Sequence, residues 1–252
     1  MRNIPVAEVD HLDRDVLAIA TDYPSGYLLD WHDHRRVQLL YAATGTMRVE
    51  TADGTWMVPG ERAVMIPPRT RHRVLMLDVR TASLYVEPAA VPWWPGECAV
   101  VQVSGLLREL LLGAVEMEAE YAAAGRDAAL VALVLHELSA LSGLPLHVAL
   151  PRHGVFAGLC RDYLADPALA VSNADWARAA AMSERAFTRA FRQETGTSPA
   201  SWRTRARLLS AVPRLREESV TAVAASLGYA SPAGFSYAFS RAFSVSPSSL
   251  RR

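Results

Sequence analysis

The chain has 252 residues, of which 51% are hydrophobic and 21% are charged. This composition is typical of a globular protein and not of a disordered or fibrous one, and the length suffices for two domains with separate cores. The two cysteines, Cys98 and Cys160, exclude a disulfide framework and a four-cysteine zinc module. The polar N-terminus and the lack of a long apolar run lead us to expect a cytoplasmic protein without a membrane span.

The formal net charge of zero conceals opposite charges in the two halves of the chain. Residues 1–150 contain 12 Arg and 19 acidic residues, whereas residues 151–252 contain 14 Arg and 7 acidic residues. The net charges are therefore −7 and +7. The chain has no lysine, so all 26 of its Lys and Arg residues are Arg. The planar guanidinium of Arg suits phosphates and guanine edges. The asymmetry predicts that the C-terminal half binds a polyanion and that the N-terminal half has another role.

Residues 1–97 have the pattern of a β domain. Short alternating runs at Val37–Tyr41, Thr46–Val49 and Val74–Leu77 are separated by turns that contain Gly or Pro. Several short strands at close spacing predict an antiparallel sandwich or barrel. The Pro-Trp-Trp-Pro-Gly tract at 92–96 closes this region.

Residues 98–150 predict helices followed by a linker. Leucine and alanine positions after Gly105 follow helical spacing, and a second helix is expected from Asp127 to Leu141. Its centre, 128–135, is too apolar for an isolated surface helix. We therefore expect the helices to lie against the β domain, and dimerisation is a further use that the sequence leaves open. Residues 145–151 have the composition of a linker.

The C-terminal half is helical and contains an internal repeat at an offset of 48 residues. One Ser-x3-Phe-x3-Phe segment and one Ser-Pro pair recur at this offset: Ser183, Phe187, Phe191, Ser198 and Pro199 match Ser231, Phe235, Phe239, Ser246 and Pro247. A capping box at Ser172–Asp175 and a terminating glycine at Gly228 mark helix ends. The repeat predicts two helix-turn-helix units.

The second helix of the first unit has a charged face opposite its phenylalanines. That face contains Glu184, Arg185, Thr188, Arg189 and Arg192. A charged face on a single helix is usually only solvated. Two equivalent helices in a half with twice as many Arg as acidic residues favour nucleic-acid binding instead.

Residues 172–250 resemble the DNA-binding domain of the AraC/XylS family of transcription regulators. The resemblance rests on the segments Met-Ser-Glu-Arg-Ala-Phe-Thr-Arg-Ala-Phe at 182–191, Thr-Gly-Thr-Ser-Pro at 195–199 and Val-Ala-Ala-Ser-Leu-Gly-Tyr-Ala-Ser-Pro at 223–232, followed by Phe235 and Phe239. It implies two helix-turn-helix units joined by a connecting helix at about 199–215. Each unit would present a recognition helix to successive major-groove segments about 34 Å apart.

Three features depart from that family's pattern. Ser244 stands where a glycine is usual, Pro213 should kink or end the connecting helix, and the second recognition helix carries little charge. We therefore expect the first unit to make most base contacts, through Arg185, Arg189 and Thr188, and the second to position the backbone or read DNA shape. The expected DNA-binding residues are Glu184, Arg185, Thr188, Arg189, Arg192, Ser231, Ala233, Ser236, Tyr237 and Arg241. Further phosphate candidates are Arg203, Arg205 and Arg207.

Histidines in the N-terminal half form a candidate metal site. His32, His34 and Gln38 share strand parity and would point to one face of a single strand, and His72 follows a second turn-strand-turn segment. Imidazole nitrogens suit Zn, Ni, Cu or Fe, with the glutamine carbonyl as a weak neutral ligand. The alternative is that these histidines line a pocket or are hydrogen-bonded without a metal.

Two segments resemble the motifs of the cupin barrel. Gly26-x5-His32-x-His34-x3-Gln38-x6-Gly45 resembles the first motif, with Gln38 where metal-binding cupins have Glu. The segment from Gly60 through Pro67 and Arg69 to His72 resembles the second motif, with one extra residue and Arg69 in a glycine position. The resemblance implies the barrel of many AraC-type sensor domains, some with a metal and some without.

The glutamine would make a bound metal site more positive by one charge than a glutamate would. Such a site should favour an anionic ligand or retain the metal less well. Four apolar or aromatic side chains either line a small-molecule pocket or belong to the core: Trp31, Tyr41, Trp56 and Met65.

The sequence therefore predicts an α+β multidomain protein. Its expected parts are a cupin-like antiparallel β-barrel sensor (1–97), a helical dimerisation segment with a linker (98–150) and an all-α DNA-binding domain with two helix-turn-helix units (151–252). The leading hypothesis is a homodimeric transcription regulator, activator or repressor, that binds promoter DNA and a small-molecule or divalent-metal effector. A metal-dependent cupin enzyme of the dioxygenase kind and a sequence-indifferent DNA-binding protein are the alternatives.

Overall fold

The computed structural model describes residues 1–167 and 170–250. The chain divides into two compact units. The first is formed by residues 1–49 and 56–145, and the second by residues 50–55 together with the chain from 146 onward. The strands up to Pro145 are β1 (Val16–Tyr23), β2 (Tyr27–His32), β3 (Val37–Ala42), β4 (Thr46–Glu50), β5 (Gly54–Pro59), β6 (Arg62–Ile66), β7 (His72–Leu77), β8 (Val79–Val86), β9 (Ala99–Gln102) and β10 (Ser142–Leu144). Two helices lie between the last two strands, α1 (Gly105–Ala114) and α2 (Arg126–Ser139).

The strands of the first unit form two sheets. One has the order β1-β8-β3-β6-β9-β10, and the other contains β5-β4-β7-β2. The strand β3 pairs antiparallel with both β6 and β8, so that Gln38 lies opposite Ile66 on one side and Tyr85 on the other. The predicted antiparallel β domain is confirmed, but the closed barrel is wrong for the described chain. The consecutive strands β1 and β2 stand at the ends of different sheets, and no ladder joins them.

The core of the first unit lies between the first sheet and the two helices. Leu107 of α1 and Val134 of α2 are fully buried in the same apolar cluster as Leu39 and Leu84 of the sheet. Burial of such side chains is the main favourable term in folding. The prediction that the helical segment lies against the β domain is therefore confirmed. Ser104 caps α1, because its hydroxyl accepts a hydrogen bond from the backbone N–H of Leu107.

The second unit is mainly helical. Its elements are the short strand β11 (His147–Ala149) and the helices α3 (Gly154–Ala165), α4 (Asn173–Ala179), α5 (Glu184–Thr195), α6 (Pro199–Leu209), α7 (Arg214–Glu217), α8 (Val220–Ser226) and α9 (Pro232–Phe243). The segment 145–151 is not the open linker that its composition predicts. It contains β11, and Leu146, Val148 and Leu150 are buried because they alternate along the extended chain.

The helices of the two repeated units and the connecting helix begin where the sequence predicts. Ser172 and Asp175 form the capping box of α4. The N-cap hydroxyls of α5, α6, α8 and α9 accept backbone hydrogen bonds in the same way. The connecting helix is shorter than the expected 199–215, because α6 ends at Leu209 and Pro213 precedes the separate helix α7. The pairs α4–α5 and α8–α9 form the two predicted helix-turn-helix units.

No helix within the described ranges combines the length and apolar character needed to cross a bilayer.

Candidate functional site

The helix α5 buries its aromatic face and exposes its charged face. Phe187 and Phe191 are fully buried, whereas Arg185, Arg189 and Arg192 are exposed. Together with Glu184, Thr188 and Gln193, these arginines line an open groove with a volume of about 570 Å³. None of the three guanidinium groups has an ion-pair partner within residues 1–167 and 170–250. Three positive charges are therefore available to a polyanion on one helix face.

The helix α9 presents a different surface. Ala233 and Tyr237 are exposed, Tyr237 to 69%, and Ser236 is half-buried. Arg241 is exposed in the last turn of the helix. The hydroxyl of Ser231 accepts a hydrogen bond from Gly234, so this side chain serves as the N-cap of α9.

Two of the further phosphate candidates point into the second unit. The guanidinium of Arg203 donates to Asn173 Oδ1 at 2.8 Å and lies 4.8 Å from the ring of Trp176. Arg205 donates to the carbonyl oxygens of His147 and Ala242. Burial lowers the pKa of both guanidinium groups. The phosphate role predicted for Arg203 is therefore wrong, because its side chain is only 7% exposed. Arg205 is half-buried and bonded to backbone carbonyls, and its phosphate role stays a prediction.

Arg207 also lies on α6 and is half-buried. Its Nε atom is buried and has no hydrogen-bond partner in the part of the chain that the structure describes. This arginine is accordingly a weaker phosphate candidate than the exposed Arg192.

The histidine cluster of the first unit is assembled from several elements. His32 ends β2, His34 lies in the bend between β2 and β3, and His72 begins β7. The ring centroid of His72 lies 4.3 Å from that of His32 and 5.3 Å from that of His34. The prediction that 32, 34 and 38 share one strand face is wrong, since the chain bends at 33–36 and passes from one sheet to the other. The bend nevertheless brings the ring of His34 next to the side-chain amide of Gln38.

Each imidazole of the cluster makes the same backbone contact through Nδ1. The Nδ1 atoms of His32, His34 and His72 lie 2.7, 2.7 and 2.8 Å from the carbonyl oxygens of residues 30, 36 and 70. A carbonyl can only accept, so in a neutral ring the proton resides on Nδ1 and Nε2 retains a lone pair.

Burial keeps two of these rings neutral. Desolvation lowers the pKa of His72 to about 4 and also lowers the pKa of His34. The Nε2 atom of His72 is buried without a hydrogen-bond partner among the described residues. The cluster therefore offers electron pairs rather than protons at neutral pH.

Gln38 completes this arrangement. Its Oε1 lies 3.1 Å from His34 Nε2, while its amide nitrogen donates to the hydroxyl of Tyr85 at 3.0 Å. With the His34 proton on Nδ1, the Nε2 lone pair faces the amide oxygen in this orientation of the amide, whereas a flipped amide would donate an N–H to Nε2. Two ligands bound at about 2.1 Å to one metal ion have a similar separation, and an additional hydrogen-bond donor would also relieve the contact.

The cluster suits a metal ion in donor type but not in arrangement. No three His, Cys, Asp or Glu side chains in residues 1–167 and 170–250 are placed to hold a metal ion together. The rings of His32 and His34 are 6.4 Å apart, which is the widest separation in the cluster.

Two arginines that sequence reasoning did not connect with the histidines hold the cluster in place. Arg36 is completely buried, and its carbonyl oxygen accepts a hydrogen bond from Nδ1 of His34. The backbone N–H of Arg69 donates to the carbonyl oxygen of His34 at 2.7 Å, and Arg69 has a φ of 56° at the position where the cupin motif has glycine. The position of Arg69 at a glycine of the cupin motif was the signal in the sequence that could have indicated its contact with His34.

The four candidate pocket residues do not act together. Tyr41, Trp56 and Met65 are at most 6% exposed, in agreement with the interpretation that they belong to the core. Trp31 is 38% exposed, and the guanidinium of Arg73 lies 5.2 Å from its ring.

Comparison with known proteins agrees with these two units. A model of the AraC-like ligand binding domain matches residues 15–138, and a model of the helix-turn-helix domain matches residues 176–252. The HTH-type transcriptional regulator NimR of Escherichia coli (strain K12) is 29% identical over 218 residues, which are 86% of this chain and 80% of that protein.

Solved structures are similar at a lower level. An apo ToxT variant from Vibrio cholerae is 11% identical, with a TM-score of 0.40 over 95% of this chain and 97% of its own. An AraC-type DNA-binding domain protein from Chromobacterium violaceum is 28% identical, with a TM-score of 0.31 over 32% of this chain and 74% of its own. The family models and the NimR match confirm the resemblance found in the sequence: the chain belongs to the AraC-type transcription regulators, with an N-terminal ligand-binding domain and a C-terminal helix-turn-helix DNA-binding domain.

Proposed function

We propose that this regulator acts in the cytoplasm, reads promoter DNA through α5, and changes its affinity for that DNA when an effector binds at the histidine cluster. The observation that carries the first part is the presence of three exposed, unpaired arginines on one face of α5, namely Arg185, Arg189 and Arg192. These three arginines have no ion-pair partner in the described chain, so no internal ion pair has to be broken before they bind DNA.

The residues on the exposed face of α5 contact different parts of the DNA. Arg185 and Arg189 are one helical turn apart and donate to O6 and N7 of guanine in the major groove, with Thr188 between them. Glu184 accepts from the N4 amino group of cytosine. Arg192 lies one turn further along and neutralises a phosphate.

Variants of the full-length chain test the base-reading helix. The probe is a duplex selected by the wild-type chain from a random-sequence pool. Arg185→Ala or Arg189→Ala should each weaken specific binding by about 1–3 kcal/mol and relax the preference at one base position. The matched control is Arg161→Ala, which removes an exposed arginine from α3. Unchanged affinity and unchanged sequence preference in both α5 variants would contradict the proposal.

The effector of this proposal is an electron-pair acceptor. The buried Nε2 of His72, which has no hydrogen-bond partner among the described residues, supports this chemistry, which a divalent transition metal or an organic hydrogen-bond donor can supply. A metal would be held by His32, His34, Gln38 and His72. Control of DNA binding requires that the effector bind two conformations of the regulator with different affinity.

Metal titration separates the two kinds of effector. If a metal is the effector, one Zn²⁺ or Ni²⁺ per chain should bind the wild type and His136→Ala, which alters an exposed histidine of α2, but not His72→Ala. If no metal binds, the organic donor remains as the effector. Loss of effector response in His136→Ala but not in His72→Ala would contradict the site. Catalytic turnover of an oxygen-dependent reaction would favour the alternative of a cupin enzyme.

We also propose that the regulator is a homodimer joined through α1 and α2. These helices leave Leu106, Leu112 and Leu133 between 37% and 51% exposed. The solution mass should be that of a dimer and should fall to that of a monomer in Leu133→Glu. The control Leu28→Glu alters a leucine of β2 that is 49% exposed, against 40% for Leu133, and should leave the dimer intact. A monomeric wild type would contradict this part.

A further inference from the structure

The two recognition helices share one geometry. The helices α5 and α9 each have 12 residues, and their N-cap serines are 48 positions apart. The ring centroids of Phe187 and Phe191 are 5.6 Å apart with an interplanar angle of 46°, and those of Phe235 and Phe239 are 5.6 Å apart at 49°. Each position of the outward face of α5 therefore has a counterpart on α9.

The chemistry of the two faces differs at these matched positions. The counterpart of Arg185 is Ala233, and the counterpart of Arg189 is Tyr237. Arg241 is the only charged residue of α9, and it lies in the last turn. Tyr237 is exposed to 69%, the largest fraction among the exposed large hydrophobic side chains of the described chain. A methyl group and a phenol ring thus occupy the places where α5 carries two guanidinium groups.

An apolar surface in the major groove has a specific partner. The C5 methyl group of thymine is the apolar feature that the base edges present there, and it distinguishes thymine from cytosine. We infer that α9 reads thymine through this methyl group, with Ala233 and Tyr237 in contact with it. The inference rests on the proposed function, in which α5 reads promoter DNA, and on the family arrangement, in which the recognition helices of both units enter successive major-groove segments. Each operator half then has guanine under α5 and thymine under α9, about one helical turn apart.

Deoxyuridine provides the direct test, because it pairs as thymine does and lacks only the methyl group. The probe is the duplex selected by the full-length chain from a random-sequence pool, with each thymine replaced in turn. In the segment under α9, we expect each replacement at a contacted thymine to weaken binding about fourfold, the amount expected for one buried methyl group. Replacements in the segment under α5 should leave the affinity unchanged.

Variants at position 237 connect the effect to the side chain. In Tyr237→Ala, the affinity ratio between the thymine and deoxyuridine duplexes should fall to one at the contacted position, and in Tyr237→Phe it should stay near fourfold. The substitution should not disturb folding, because the side chain is largely solvent-exposed. In Arg185→Ala, the deoxyuridine effect under α9 should persist.

The outcomes separate the inference from the function on which it rests. The control base is 7-deazaguanine, which lacks the N7 acceptor that an arginine of α5 would use. If 7-deazaguanine weakens binding and deoxyuridine has no effect at any thymine, the inference is overturned and base reading by α5 stands. If Tyr237→Ala weakens binding to both duplexes equally, the phenol ring does not contact the thymine methyl group, and the inference is likewise overturned. If neither base analogue has an effect, the proposed function itself fails.

Discussion

The Nε atom of Arg36 donates a hydrogen bond to Oδ1 of Asp10 at 2.8 Å, and the arginine side chain is completely buried. Its Nη2 atom lies 2.8 Å from a carboxylate oxygen of Glu87, and further donors reach the carbonyl oxygens of Leu12 and Arg14. This network joins the segment before β1 to the start of β3. Because the carbonyl oxygen of Arg36 accepts a hydrogen bond from Nδ1 of His34, the network also orients the histidine cluster.

Removal of this guanidinium should strongly destabilise the first unit. Arg36→Ala leaves Asp10 and Glu87 without their buried partner, and we expect the free energy of unfolding to fall by about 3–5 kcal/mol. The control is Arg35→Ala, which contacts the same two carboxylates but is 40% exposed. It should cost about 0–1 kcal/mol. Urea denaturation of the full chain measures both, and equal losses would contradict the assigned role of burial.

Acid should destabilise the first unit through His72. Burial lowers the pKa of the folded His72 to about 4 from its ordinary value of 6.5, so the unfolded chain binds the proton first. The free energy of unfolding should therefore decrease as the pH falls from about 6.5 to about 4, by about 3 kcal/mol, and level off below that range. Urea denaturation in the presence of a chelator measures this dependence. It should become weaker in His72→Gln, in which the lowered pKa of His34 still contributes, and persist unchanged in His136→Gln. An undiminished slope in His72→Gln would assign the effect to another group.

Ser244 should be a less favourable helix terminus than its counterpart in the first unit. It ends α9 with a φ of 59°, whereas Gly196, 48 positions earlier, ends α5 with a φ of 70°. A left-handed conformation costs a residue with a Cβ about 1–2 kcal/mol, partly offset by the greater freedom of glycine in the unfolded chain. Ser244→Gly should therefore raise the free energy of unfolding by about 0.5–1 kcal/mol.

The converse substitution serves as the control for this prediction. A Cβ at Gly196 would meet no atom within 4 Å, so Gly196→Ser tests the backbone conformation alone. We expect a loss of similar size, and a change of the same sign in both variants would refute the explanation.

Arg192 should contribute to DNA affinity through its charge and should not contribute to the preference for particular bases. If it neutralises one phosphate, Arg192→Ala weakens binding to all duplexes by a similar factor and reduces the slope of log affinity against log salt by about 1. Arg185→Ala should instead reduce the ratio between specific and non-specific affinity. Affinities measured at several salt concentrations on a selected and a random duplex distinguish the two. A change of base preference in Arg192→Ala would show that its side chain reaches a base.

Local patterns in the sequence predicted the elements of the second unit. The capping box at Ser172, the Ser-Pro helix starts and the repeated phenylalanines act over three or four residues, so that they are visible without tertiary structure. The same locality explains why α2 was predicted within two residues of its observed bounds.

Contacts between distant segments decided the rest. The helix pattern could not show that α6 turns Arg203 toward the core or that Arg205 donates to a carbonyl oxygen of α9, because both depend on neighbouring elements.

The histidines show the same distinction most clearly. Strand parity placed His32 and Gln38 on one strand, but the bend between β2 and β3 separates them into two sheets and returns His34 to Gln38. By itself, the sequence determined the residue types available at each site, the helices and their repeat, since these follow from short-range chemistry. Only the tertiary structure decided which arginines meet solvent and which imidazole nitrogen is left without a partner, since burial and hydrogen bonding are set by residues far away in the chain.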